Sequence, residues 1–166
     1  MTFRLARALP VAAFLLAGCN GLYLPAGQVT GPSVETNYRA QGTEFVVCTN
    51  LDTSVAYGFQ FNGSLGPWTA ALLREDDGKT YGQVTRDPAT PEGQALVSGT
   101  RVDDTLVLPA NTVPAARPYS IQVQPTPVTF TDSGARAYLR LTVQIGSDSA
   151  PWDLKDLALR VGTCLQ

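Results

Sequence analysis

From Thr43 onward the hydrophobic positions recur every second residue, which is the period of a strand with one buried face. Residues 54–61 set Val55, Tyr57, Phe59 and Phe61 against Ser54, Ala56, Gly58 and Gln60. The longest such pattern, over 137–145, sets Ala137, Leu139, Leu141, Val143 and Ile145 against Tyr138, Arg140, Thr142 and Gln144. Shorter strands are predicted over 44–49, 68–74, 81–86, 94–97 and 105–108, and over 119–123, where Tyr119, Ile121 and Val123 alternate with polar residues. The tail, 156–164, predicts a last strand with Leu157, Leu159 and Val161 inward, after a single helical turn over 151–155. Turn residues punctuate these runs at Asn62-Gly63, over 75–80, at Ser98-Gly99 and at Asp103-Asp104, and 88–93 reads as loop.

About eight or nine short strands, with turn residues between them and no long helical period, predict an all-β fold. An antiparallel β-sandwich, immunoglobulin-like in topology, is expected, with a small barrel as the alternative. The Cys…Trp…Cys spacing of antibody domains is absent, because Trp68 follows Cys48 closely and Cys164 lies in the final strand. Residues 20–42 mix glycine, proline and polar residues without a helical period and read as a tether, in which 34–38 offers an early edge strand.

The N-terminus has a different pattern. Arg4 and Arg7 precede an apolar run over 8–17 that is broken only by Pro10, the layout of a secretory signal peptide. The run is too short to cross a hydrocarbon core, which takes roughly 20 apolar helical residues. It ends in Leu16-Ala17-Gly18-Cys19, which closely resembles the lipobox of bacterial lipoproteins. That resemblance implies a diacylglyceryl group on the Cys19 sulfur, cleavage just before Cys19 and acylation of the new amino terminus. The expected division is therefore signal peptide 1–18, lipidated N-terminus and tether 19–42, and β-sandwich 43–166. Two or three acyl chains anchor stably where one alone is marginal. The implied location is the cell envelope, at the outer membrane or the outer face of the cell membrane, and Asn20 after the cysteine favours the outer membrane. A simple secretory signal with an incidental cysteine is the alternative.

Assigning Cys19 to lipid leaves Cys48 and Cys164 as an even pair in an exported, oxidising compartment, and a disulfide between them is expected. Two buried free thiols are the alternative. A redox role is disfavoured, because there is no Cys-x-x-Cys spacing.

Charge and composition narrow the function classes. The formal net charge is −2, and loss of Arg4 and Arg7 makes the mature chain more acidic. The broad positive field that neutralises phosphates is missing, so nucleic acid is not an expected partner. The chain has no histidine, which removes the commonest general base and metal ligand. No metal, cofactor or catalytic residue is assigned, and the protein is expected not to be an enzyme. Gly78-Lys79-Thr80 lacks the earlier glycine and following helix of a phosphate-binding loop and reads as a hairpin turn. Glu75, Asp76 and Asp77, or Asp103 and Asp104, offer oxygen ligands for calcium without the spacing of a known loop, and read as solvated turn acids. Trp68, Trp152, Tyr57, Tyr81, Tyr119 and Tyr138 are candidates for a sugar-stacking platform or for protein anchors. Tyr138 stands out because it points away from the Leu139–Leu141 face.

Two functions follow from different classes. One is a membrane-anchored envelope lipoprotein acting as a non-catalytic structural or protein-interaction module. The other is a carbohydrate-type ligand-binding accessory domain. An aromatic groove favours the second, and an apolar patch or unprotected edge strand favours the first.

Overall fold

The computed structural model describes residues 29–40, 44–110 and 125–166. Cys19, the signal peptide and the strand expected over 119–123 lie outside them. In chain order the strands are β1 (Val29–Thr36), β2 (Tyr38–Arg39), β3 (Val46–Cys48), β4 (Thr53–Phe61), β5 (Leu65–Arg74), β6 (Thr80–Arg86), β7 (Val97–Ser98), β8 (Arg101–Leu108), β9 (Thr126–Pro127), β10 (Thr129–Ile145), β11 (Asp148–Asp153) and β12 (Leu159–Leu165). A short helix α1 (Pro91–Gln94) and a 3-10 turn (Lys155–Leu157) complete the described elements.

The all-β sandwich is as expected. One sheet runs β1-β4-β8-β7 and the other β3-β12-β10-β5-β6, with β11 also on β10 and a small separate pair β2-β9. Alternation sets the inner faces: Val55, Tyr57 and Phe59 of β4 meet Trp68, Ala70 and Leu72 of β5 and Leu139, Leu141 and Val143 of β10 in one core. Phe59 and Trp68, from opposite sheets, pack edge to face with centroids 6.3 Å apart, the geometry aromatic quadrupoles prefer.

The chain changes sheets between β4 and β5, so Asn62-Gly63-Ser64 is a crossing rather than a hairpin turn. β5 begins at Leu65, earlier than expected, because a register shift between Val143 and Ile145 of β10 accommodates the strand at Pro67. β11 and β12 pair in turn with the second and first halves of β10. They act as one long return strand, interrupted by the 3-10 turn.

Several boundaries correct the sequence reading. The sandwich starts at Val29, so 29–40, expected in the tether, belongs to it. β1 pairs with β4 across a register shift at Gly31-Pro32, and that irregularity hid its alternation. The helical turn expected over 151–155 is instead edge strand β11 with Pro151 in it, followed by the 3-10 turn. That turn leaves Leu157 38% exposed, and Leu154 is buried in its place. Of residues 94–97, expected as a strand, Gln94 ends α1 and only Val97 enters a strand, β7. Thr90 caps α1 by accepting from Gly93 N, with Pro91 in the first turn, the usual N-terminal chemistry of a helix.

Cys48 and Cys164 lie at disulfide distance, their Cα atoms 5.5 Å apart. They join β3 to β12, which run parallel side by side in one sheet, and do not bridge the two sheets. Around them Tyr38, Ala40, Val46 and Val128 form a second, smaller core at one end of the molecule.

Candidate functional site

The most extensively hydrogen-bonded side-chain cluster among the described residues lies between the sheets. Tyr57 and Asp104 are cross-strand partners on β4 and β8, and Trp68 and Arg86 are cross-strand partners on β5 and β6. The two rungs face each other and join. Trp68 Nε1 donates to Tyr57 Oη at 3.2 Å, and Tyr57 Oη donates to Asp104 Oδ2 at 2.5 Å. Arg86 grips the same carboxylate through Nε to Oδ2 (3.0 Å) and Nη2 to Oδ1 (3.2 Å), and Thr105 N donates to Oδ1. The Asp104 side chain is 1% exposed and that of Arg86 12%.

Electrostatics fix the protonation of this chain. Burial, then the Asp104 charge and hydrogen bond, push the Tyr57 hydroxyl well above its ordinary range, while Trp68 and Arg86 pull weakly the other way. Tyr57 therefore stays a neutral donor. Asp104 accepts four hydrogen bonds, which matches the capacity of its two oxygens. A catalytic acid or base needs a free lone pair and a path to substrate. With its side chain 1% exposed, this carboxylate ties β8 to β6, and the cluster works as a strut that fixes one sheet against the other.

Asp104 is not the solvated turn acid the sequence suggested. β8 begins at Arg101, so Asp104 sits on the inward face with Val102, Leu106 and Leu108. Asp103 points outward and binds Arg101. The other acidic group, Glu75, Asp76 and Asp77, lies exposed in the β5–β6 turn as expected, where Asp76 takes the fork of Arg74, whose hydrogen bonds lower its carboxyl to about 2, and Asp77 accepts from Lys79 N. Gly78, with φ of 69°, and Lys79 turn the β5–β6 hairpin. Among the described residues no group of three or more metal-ligating side chains gathers.

The aromatic candidates do not converge. Trp68 and Tyr57 are in the core. Tyr138 does point away from it, but is only 5% exposed, packed with Ala71 and Leu73 beneath Lys155, whose Nζ lies 5.3 Å from the ring centre. Tyr81 and Trp152 are half-buried against the main core, and Tyr119 lies outside the described residues.

The edge strands differ in how they are protected. β1 carries a bulge at Gly31-Pro32, β11 carries Pro151, and β3 and β7 are very short, all devices that discourage pairing. β6 has seven residues and no proline, has its own register shift at Tyr81, and among the described residues pairs with β5 alone. Compared with protein-family models, with curated proteins and with solved structures, the chain matches none.

Proposed function

We propose that the protein is a bacterial envelope lipoprotein, held in the membrane by acyl chains on Cys19, whose sandwich is a non-catalytic interaction module. The lipobox Leu16-Ala17-Gly18-Cys19 supports the anchor. The observation that carries the interaction role is the edge of β6. Among the described residues β6 pairs with β5 alone, and along residues 80–85 an extended segment of another envelope protein would add a strand, the mode in which main-chain bonds supply affinity.

We read the strand order as immunoglobulin-like. β1-β4-β8-β7 corresponds to the A-B-E-D sheet and β12-β10-β5-β6 to G-F-C-C′. In that scheme Trp68 takes the place of the core tryptophan on strand C, and Phe59 packs on it from strand B. β6 is then strand C′, at the end of the sheet among the described residues.

A photo-crosslinking phenylalanine derivative placed at Gln83 of β6, in cells, tests the role. It is expected to give one discrete adduct that is absent when the same group replaces Glu35 on the bulged edge β1. Equal adducts at both positions, or none at Gln83, contradict docking at β6.

A further inference from the structure

The chain enters the sandwich at Val29, opposite Phe61 at the last residue of β4. Three turns close that same pole: 62–64 between β4 and β5, 99–100 between β7 and β8, and 146–147 between β10 and β11. Phe61 N donates to Thr100 O and Gly146 N to Ser64 O, each at 2.8 Å, and these bonds draw the turns together. None of the three turns carries a charged side chain, although Arg101 follows the second and Asp148 the last. The opposite pole holds the Cys48–Cys164 pair, the pairing of Thr129 with Leu165, and the small second core.

Resting on the lipid-anchor reading above, we propose that the pole built from Val29 and these three turns lies against the bilayer surface, and that the Cys48–Cys164 pole points away from it. The argument is one of length. The ten residue steps from Cys19 to Val29 span at most about 35 Å in any conformation. The 17 residues of β10 run from one pole to the other across a bulge at Ser133-Gly134, and rise up to roughly 50 Å. An inverted domain would place Val29 farther from the membrane than its link to Cys19 extends. The uncharged turns suit the inward position, since they lose little hydration beside the headgroups. The charged hairpin turn at Glu75, Asp76, Asp77 and Lys79 is then held away from the lipid surface.

The test uses the native, membrane-extracted protein reconstituted in vesicles of phosphatidylethanolamine and phosphatidylglycerol that carry a headgroup energy-transfer acceptor. A donor dye is attached to Ser64→Cys at the proposed inner pole or to Glu75→Cys on the far hairpin. Ser147→Cys and Thr163→Cys form a second pair, should either of the first fail to fold. Transfer several-fold stronger from Ser64→Cys, and from Ser147→Cys in the second pair, is the expected result. Equal transfer, or stronger transfer from the far pole, in protein that floats with the vesicles overturns the orientation and leaves the anchor standing. Protein that does not float and carries no acyl mass overturns the anchor, and the orientation falls with it.

Discussion

Asp104 shows how one residue can join two sheets and escape a reading of the sequence. Beside Asp103 it looks like half of a polar turn, yet Val102, Asp104, Leu106 and Leu108 keep the period of two that marks an inward face. Following that period through the acid would have located it, but nothing local indicates that Arg86 and Tyr57 would be its partners, since both arrive from other strands. Removing one member of a buried ion pair leaves the other charged and unpaired, at a cost of about 3–5 kcal/mol. Asp104→Ala is therefore expected to lose stability of that size in urea unfolding, whereas Tyr57→Phe, which deletes one hydrogen-bonding hydroxyl, should lose about 1–2 kcal/mol. Equal, small losses for both variants would show that the cluster is not the strut described. Tyr138 teaches the complementary point: alternation gave its direction correctly, but its cover comes from the turn after β11, which the sequence placed elsewhere.

At the scale of elements, the strands legible in the sequence are those with one dry face and one wet one. β4 and the second half of β10 alternate cleanly because a sheet covers one side only. The first half of β10 is exposed or half-exposed throughout, so no contrast exists for a period to reveal. β1 and β11 contain proline, which reads as a breaker but is tolerated on an edge. β12 depends on a residue whose role only the packing shows. A Cβ on Gly162 would lie 2.1 Å from Thr131 O and 2.8 Å from the Phe130 ring. The nearer obstacle is backbone and cannot rotate away. Gly162→Ala is expected to lower the melting temperature through an overpacking cost of about 1–3 kcal/mol. Gly99→Ala has open space at its Cβ, so its loss should come only from the strained positive φ. A Gly162→Ala protein as stable as wild type would contradict the close approach of β12 to β10.

For the whole molecule, composition foretold more than any single motif. With no histidine, no side chain ordinarily titrates between pH 5 and 8, and the melting temperature is expected to be flat across that range. Hydrogen bonds from Arg74 and Arg140 lower Asp76 and Asp153, and the Gly134 backbone followed by Arg160 lowers Asp132. A depressed carboxyl pKa stabilises the fold above the unfolded value of about 3.9, and that contribution is lost as pH falls through the folded value. Tyr57 acts at the other extreme: its raised pKa lets the unfolded chain ionise first, so stability falls as pH rises above about 10. A melting temperature that changes steeply between pH 6 and 8 would contradict this account. The cysteine count predicted the pairing of Cys48 with Cys164, while their arrangement within one sheet needed the parallel register of β3 and β12.

The anchor and the bridge together are the central claim, and intact mass of the native, membrane-extracted protein, with and without reductant and alkylation, tests both at once. The account predicts the mass of residues 19–166 plus acyl chains, with two alkylatable thiols appearing only after reduction. A chain that is full-length or unacylated, or one whose thiols are free before reduction, would contradict it.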